Sequence, residues 1–490
     1  MDFLGLESLT TIQEALDLIG EKIDLTEIPL DDPNVYEMIC NLDTLGIFQV
    51  STNVGKKMTK DLQPKSFQEL TDILAIGRPG PMKSGQDKEY IARKFGYKQI
   101  SYAHPKLEPI LSSTYGVIIY QEQIMQIVRE LAGFTHAEAD QVRKAVGKKN
   151  MDLIRSLGED FIKGCEKLET LTPDQARSMW ESIQRYGEYC FNLSHAASYA
   201  IISYWMAWLK YYYPIEFMAA TLSTELRGNA KDKDKKVSDA IQECKRMGIK
   251  ILPPSIRDSN RNFSVENGQI RFGIAGIKGV GPAAVEAIFS AGPYESLEDF
   301  MDKVEKRKCN KKVILALIMA GAFDFDCPNR IDLLRRFAEK RKEDYPESVY
   351  VDRETTIEIP NEYLVKTKLE WEKIFLGGYI SDHPIGELES ESLRDKFPGD
   401  KIMIAGVVNS IRQVKVKRGR SAGRDMAFAS IGTLEGEVRV VIFPDQWDEN
   451  GHKVEEGKIV RIRGKLEKDS NVIADYITNP RVAELNNPLP

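Results

Sequence analysis

Residues 189–214, YCFNLSHAASYAIISYWMAWLKYYYP, constrain the fold of this chain more than any other stretch. From Ala196 the run stays apolar and aromatic until Lys210 interrupts it, and it includes Ser198, Tyr199, Ser203 and Tyr204. A membrane span needs about 20 mostly apolar residues, so this run is too short and too polar to be one. It predicts a helix buried in the core of a helical domain, with Asn192, Ser194 and His195 crowded at its mouth. Such a cluster suits either a hydrolase nucleophile or a polar pocket.

A chain of 490 residues is too long for one core and should divide into three or four domains of about 100–200 residues. With 42% hydrophobic and 29% charged residues it can bury large cores. The net charge of −6 gives no global basic field, so any nucleic-acid binding must come from local patches. The six cysteines form no CxxC pair, the five histidines are scattered, and the chain does not open as a signal peptide does. This reads as reduced thiols in the cytoplasm, with no zinc and no membrane.

Up to about residue 225 the pattern is helical. Ser66 followed by Glu69 makes a capping box ahead of Phe67, Leu70, Ile73 and Leu74 on one face, while Ile124, Ile127, Val128 and Leu131 form an apolar stripe closed by Gly133. A turn-rich texture follows, and 340–360 is charged without clear periodicity. From about 396 five short alternating runs predict a small antiparallel barrel, with the OB-fold as the leading candidate.

Three stretches can carry chemistry. GIKGVGP places Gly276, Gly279 and Gly281 in a hairpin before a helix, where backbone N–H groups and Lys278 can hold a DNA phosphate; the alternative is a plain tight turn. In IRQVKVKRGRSAGR, Arg412, Lys415, Lys417, Arg418, Arg420 and Arg424 occur without an acidic residue, which suits a single-strand groove or else a solvated loop. Arg143, Lys144, Lys148 and Lys149 are four cations in seven residues, enough to neutralise a triphosphate or merely to wet a helix end.

Motifs in one order along nearly the whole chain bear on these alternatives by resemblance. DFLGLESLTTI, RPGPMKSG, TYGVIIYQEQIMQI, ADQVRKAVGKK, CFNLSHAASYAIISY, YPIEFMAATLS, MGIKILPP, GIKGVG and LGGYISDHPI resemble the alpha subunit of bacterial DNA polymerase III, the C-family replicative polymerase. The resemblance implies a multi-domain, mainly α protein with a C-terminal β-barrel of OB type. Its expected parts are a last palm strand at 1–6, helical fingers at 7–225, a helix-hairpin-helix duplex-binding domain at 226–339, a linker and connecting segment at 340–395, and an OB domain at 396–484. It implies that Arg78, Arg143, Lys144, Lys148, Lys149, Asn192, Ser194 and His195 meet a deoxynucleoside triphosphate. Ser194 has neither a nucleophile elbow nor a recognisable third partner, which leaves a Ser-His hydrolase as the weaker reading.

Two Mg²⁺ ions belong to such a polymerase, and Asp2 is the one palm ligand in this sequence; the other aspartates and the thumb would come from an N-terminal polymerase fragment. Primer-template DNA and single-stranded template are the further partners. The sliding clamp and other replisome subunits belong to the family's circle, although no Gln-x-x-Leu-Phe type peptide stands between 340 and 375. The family usually has Lys where this chain has Leu193, and FQVSTNVGKKM departs from its wording. A non-catalytic DNA-binding factor derived from such a polymerase is the alternative function.

Overall fold

The computed structural model describes residues 5–187, 189–227, 233–351, 355–360, 365–381, 398–434, 436–467 and 471–480, together with residues 385, 388, 390, 391, 393 and 396. The chain divides into two compact units, Met1–Phe217 and Met218–Pro490.

The first unit is helical. Helix α1 (Phe67–Ile76) starts at Ser66, whose Oγ accepts the Glu69 N–H at 3.3 Å, while Glu69 Oε2 accepts the Lys65 N–H at 2.6 Å. The capping box is thus displaced by one residue from its expected form. Leu70 and Ile73 are buried. In α2 (Gln121–Ala132) the stripe of Ile124, Ile127, Val128 and Leu131 is buried, and Gly133 ends the helix at φ 73. Next comes α3 (His136–Lys148), which packs on α2.

The apolar run becomes α4 (Leu193–Tyr212), lying against α1. Four of its polar side chains find partners in the loop-rich segment between 29 and 48. Tyr204 Oη donates to the Pro29 carbonyl at 2.8 Å, Ser203 Oγ to that of Phe48 at 2.9 Å, and the buried Lys210 Nζ to that of Leu45 at 2.9 Å. Tyr212 Oη donates to Asp32 Oδ2 at 2.6 Å. A buried helix tolerates polar side chains when each is hydrogen-bonded, which is why this one can be core. Among the described residues no helix is long and apolar enough to cross a membrane.

The second unit joins a helical part to a barrel. Helix α5 (Lys233–Arg246) precedes a small sheet in which Gln269–Arg271 lies between Ile251–Leu252 and Ser264–Glu266. Two further helices are α6 (Pro282–Ala291) and the almost wholly buried α7 (Lys311–Ala320). The 340–395 stretch, expected as linker, is in its described parts folded: Ser348–Tyr350 pairs with Thr356–Glu358, and α8 (Val365–Leu376) packs on α7 with Trp371, Phe375 and Leu376 buried. Abundant charge hid the apolar spacing of these three residues.

Five strands, β1 (Lys401–Lys415), β2 (Asp425–Thr433), β3 (Gly436–Ile442), β4 (Ile459–Leu466) and β5 (Val472–Thr478), close into a barrel in the order β5-β3-β2-β1-β4. Closure comes from the parallel pairing of β5 with β3, all other neighbours being antiparallel, as an OB-fold requires. Ile404, Ile431, Val440, Ile462 and Ile477 belong to its core.

Asp72 of α1 is fully buried and accepts hydrogen bonds from Tyr120 Oη at 2.5 Å, Tyr90 Oη at 2.6 Å and Gln68 Nε2 at 2.8 Å. Burial pushes its pKa up to about 7, against the opposing effect of the two tyrosine bonds. The fold therefore favours the protonated acid. That share of stability is full below about pH 4 and is lost as the pH rises through about 7. Asp72→Asn, which cannot ionise, should flatten the stability-pH curve between about pH 5 and pH 8, measured by urea unfolding at each pH. An unchanged slope would mean that Asp72 does not titrate there.

Candidate functional site

The turn before α4 is pinned to the start of α2. Phe191 N–H donates to the Ile119 carbonyl and Gln121 N–H to that of Phe191, both at 2.9 Å. Glu122 then holds the next two residues, accepting Asn192 Nδ2 through Oε1 at 2.8 Å and the Leu193 N–H through Oε2 at 3.0 Å. Asn192 Oδ1 accepts the His195 N–H at 2.8 Å and so caps α4. Asn192, read from sequence as a nucleotide contact, is in this geometry a positioning residue with both ends of its amide engaged.

Around this pin the side chains form an aromatic ladder with a cation on it. The Arg78 guanidinium lies 3.4 Å from the centroid of the Phe191 ring. His195 meets Phe191 edge-on at 5.2 Å and Tyr199 at 4.3 Å, and Tyr199 stacks on Phe48 at 5.1 Å. Arg78 is exposed, yet its neighbours desolvate it enough to lower its pKa, and it makes no ion pair with a described carboxylate. A guanidinium stacked on a ring keeps its N–H edge directed outward for an anion. Gly80 keeps this segment close, since a Cβ there would come within 2.5 Å of Tyr189 Cδ1.

The four cations of α3 divide. Arg143 Nη1 reaches Gln121 Oε1 at 3.5 Å, which brings it to the same pin, but its Nη2 also pairs with Asp140 at 2.7 Å. Lys144 pairs with Asp140 at 2.7 Å. Lys148 ends the helix, and Lys149 follows at φ 55. Arg78, Arg143, Asn192, Ser194 and His195 thus share one neighbourhood, whereas Lys144 is held by its own helix. No hydrogen bond joins Ser194 Oγ to the His195 ring among the described residues, so the hydrolase arrangement is not formed. Asp2 lies outside the described residues, among which no group of three His, Cys, Asp or Glu side chains could hold a metal. Sequence reading overlooked Phe48, Glu122 and Tyr199; only the closeness of two motifs in space reveals them.

In the second unit each hairpin glycine has its own reason. At Gly276 a Cβ would come within 2.7 Å of both Leu226 and Phe272, and at Gly279 φ is +93, a value other residues rarely adopt. Gly281 caps α6 with nothing within 4 Å of where a Cβ would stand, leaving its face open to an approaching group. The Lys278 N–H donates to the Phe375 carbonyl at 2.9 Å, which anchors the hairpin to α8 and withdraws that amide from any ligand. The N–H groups of Gly279 and Gly281 have no partner among the described residues.

The cationic stretch of the barrel is an extension of the β1-β2 hairpin, with Val416 N–H donating to Arg424 O at 3.0 Å and Gly423 N–H to Val416 O at 2.9 Å. Arg412, Lys415, Lys417, Arg418 and Arg420 are exposed and form no ion pair among the described residues. Arg424 differs: it pairs with Asp445 at 2.7 Å and Asp448 at 2.6 Å, both on α9 (Pro444–Asn450). Beside Arg412 in register stands Phe428, with the Arg439 guanidinium 4.8 Å from its ring centroid. Neither was singled out from the sequence.

A helical unit with a cation-bearing aromatic pocket, a glycine hairpin at a helix start and a closed barrel with a basic hairpin are features of the kind found in multidomain nucleic-acid-binding proteins. Residues 8–169 match the bacterial DNA polymerase III alpha subunit finger domain, 248–333 a helix-hairpin-helix motif, and 402–480 an OB-fold nucleic acid binding domain. DNA polymerase III subunit alpha of Aquifex aeolicus is 38% identical over 486 residues, 96% of this chain and 41% of that protein. The subunit of the same name from Pasteurella multocida is 34% identical over 512 residues, 96% of this chain and 43% of that protein. Three stretches of the chain are thus similar to the finger domain of a bacterial DNA polymerase III alpha subunit, to a helix-hairpin-helix motif and to an OB-fold nucleic acid binding domain, and the chain spans about two fifths of the length of these relatives.

Since Asn192 both caps α4 and bonds Glu122, Asn192→Ala should lower stability by about 1–2 kcal/mol in urea titrations. Asn192→Asp should keep the cap yet set a carboxylate against Glu122, and so recover only part of the loss. Full recovery by Asp would show that the Glu122 bond contributes nothing.

Proposed function

We propose that this chain supplies the nucleotide-binding and DNA-binding parts of a template-directed DNA polymerase. The observation that carries the reading is the pinned ladder in the finger domain, where Arg78 lies on Phe191 with His195 and Arg143 beside it. A stacked guanidinium and an arginine at one helix start suit a triphosphate, whose transfer is catalysed mostly by positioning and charge neutralisation. Lys148 and Lys149 extend the positive charge along the end of α3. Two Mg²⁺ ions would be held by Asp2 together with aspartates from an N-terminal palm, and they would supply activation of the primer hydroxyl and neutralisation of the leaving group. The described residues bind and orient; they hold no metal-ligand set.

In the second unit the amides of Gly279 and Gly281, which have no partner among the described residues, suit a duplex phosphate together with Lys278, without reading bases. The barrel's Arg412, Lys415, Lys417, Arg418 and Arg420 suit a single-stranded template, with Phe428 as a stacking platform. On this reading the partners are primer-template DNA, the single-stranded template and the palm-bearing fragment, working in the cytoplasm. Contact with the sliding clamp and other replisome subunits rests on family likeness alone.

In the enzyme reconstituted with an N-terminal fragment, Arg143→Ala or Lys148→Ala should weaken nucleotide use by roughly 1–3 kcal/mol while primer-template affinity stays the same. Equal losses in both would place these cations on DNA. Changing Lys415, Lys417, Arg418 and Arg420 together to Ala should flatten the salt dependence of single-strand binding, each lost contact lowering the log–log slope by about 0.7. Arg424→Ala, already neutralised by two aspartates, should leave that slope unchanged. Fluorescence titrations of a labelled oligonucleotide at several salt concentrations test both, and an unaltered slope in the fourfold variant sinks the barrel assignment.

A further inference from the structure

Behind the glycine hairpin lies a cavity of about 630 Å³, walled by α5, the hairpin, α8 and the edge of the barrel. Its size falls within the usual range for small-molecule sites, about 300–1,000 Å³. One wall is apolar, formed by Ile277, Phe375 and Tyr379. Gln242 of α5 also lines it; this side chain is only 9% exposed, and its Oε1 is buried with no hydrogen-bond partner among the described residues. A buried acceptor left unmatched costs about 1–3 kcal/mol, so Gln242 is a place where an N–H or O–H donor is missing.

The lining of the same cavity carries four lysines, Lys233, Lys235, Lys278 and Lys373, against two carboxylates, Asp239 and Glu437. Lys235 and Lys373 line it together with the hairpin from Ala275 to Val280. Lys373 Nζ donates to Asn409 Oδ1 at 3.1 Å and lies 5.8 Å from the centre of the Tyr379 ring, crowded enough that desolvation lowers its pKa despite Glu437 and Glu456 nearby. Lys235 is 3.6 Å from Glu437, an ion pair too exposed to fix it. A lysine-rich lining, an apolar wall and an unmatched acceptor describe a ligand with an anionic end, a flat body and an N–H edge.

We propose that this cavity binds a nucleoside phosphate, with the phosphate at Lys373, the base against Tyr379, and a base N–H donated to Gln242. This goes beyond the grip of the hairpin on duplex DNA and depends on different side chains. The phosphorylated nucleoside can come from two sources, a free nucleotide or the 5′-phosphorylated end of a DNA strand.

The test is calorimetric titration of the full chain with deoxyadenosine monophosphate, deoxyribose 5-phosphate and inorganic phosphate. Deoxyadenosine monophosphate should bind at least tenfold more tightly than either base-free probe. Gln242→Leu should weaken it about tenfold, which corresponds to about 1.4 kcal/mol, and Lys373→Met should weaken all three probes. Duplex affinity should be unchanged in both variants. Gln242→Met repeats the point should the Leu variant misfold.

Competition between deoxyadenosine monophosphate and a 5′-phosphorylated oligonucleotide, with none from its unphosphorylated twin, would assign the site to a strand end. Absence of competition would assign it to a free nucleotide. Equal binding of the three probes, or full affinity in Gln242→Leu, overturns the proposal and leaves the hairpin reading intact. Loss of duplex binding together with nucleotide binding would also overturn it, by showing that one surface serves both.

Discussion

The carboxylate of Glu122 is the contact on which the candidate nucleotide site depends. It receives one hydrogen bond from the Asn192 side chain and one from the Leu193 backbone, and these lie at the start of α4 while Glu122 itself lies in the first turn of α2. Two helix beginnings some seventy residues apart in sequence are thereby fixed to each other. An acid in a first turn is favoured by the helix dipole, and here it also satisfies a donor of the next helix before that helix has its own partners. Phe191 is held between them, and Arg78, His195 and Tyr199 take their places from Phe191. Removing the pin would release the aromatic ladder without touching any cation.

Net charge says little about this chain because each cation's meaning is set by what faces it. Arg143, Lys144 and Arg424 lie in runs that look alike in sequence to the runs around Lys148 and Arg420. The first three have aspartate partners within 3 Å, at Asp140, Asp445 and Asp448. An exposed paired cation releases few counterions when a phosphate arrives, whereas an unpaired one contributes its full share to salt-dependent binding. The basic hairpin of the barrel therefore acts as a smaller cluster than its sequence suggests, and it sits on a strand ladder that holds its spacing.

Much of the fold was legible because it rests on periodicity. The stripe of Ile124, Ile127, Val128 and Leu131, the αL turn at Gly133 and the five alternating strands all follow from local spacing that tertiary contacts reinforce. The 340–395 stretch misled for the converse reason: Trp371, Phe375 and Leu376 are spaced for a helix but stand among so many charges that no stripe is visible until α7 covers them. The site was only half legible. Motifs named Arg78, Arg143 and His195, but nothing local says that Glu122 will bond Asn192, that Arg424 will find two aspartates, or that Phe375 will take the Lys278 amide. Each of these depends on a partner distant in sequence, brought near only by the packing of whole elements.

The last of these contacts shows how the hairpin can be both rigid and available. Three of its amides could in principle meet a phosphate, but a loop free to offer all three would lose conformational entropy on binding. Bonding Lys278 N–H to α8 gives up one donor and fixes the direction of the other two. Gly279 holds the positive φ that this requires, and Gly281 begins α6 with no side chain in the way. The same bond also makes α8 a wall common to the hairpin and the cavity behind it, so that the backbone of Phe375 braces one surface while its ring lines the other.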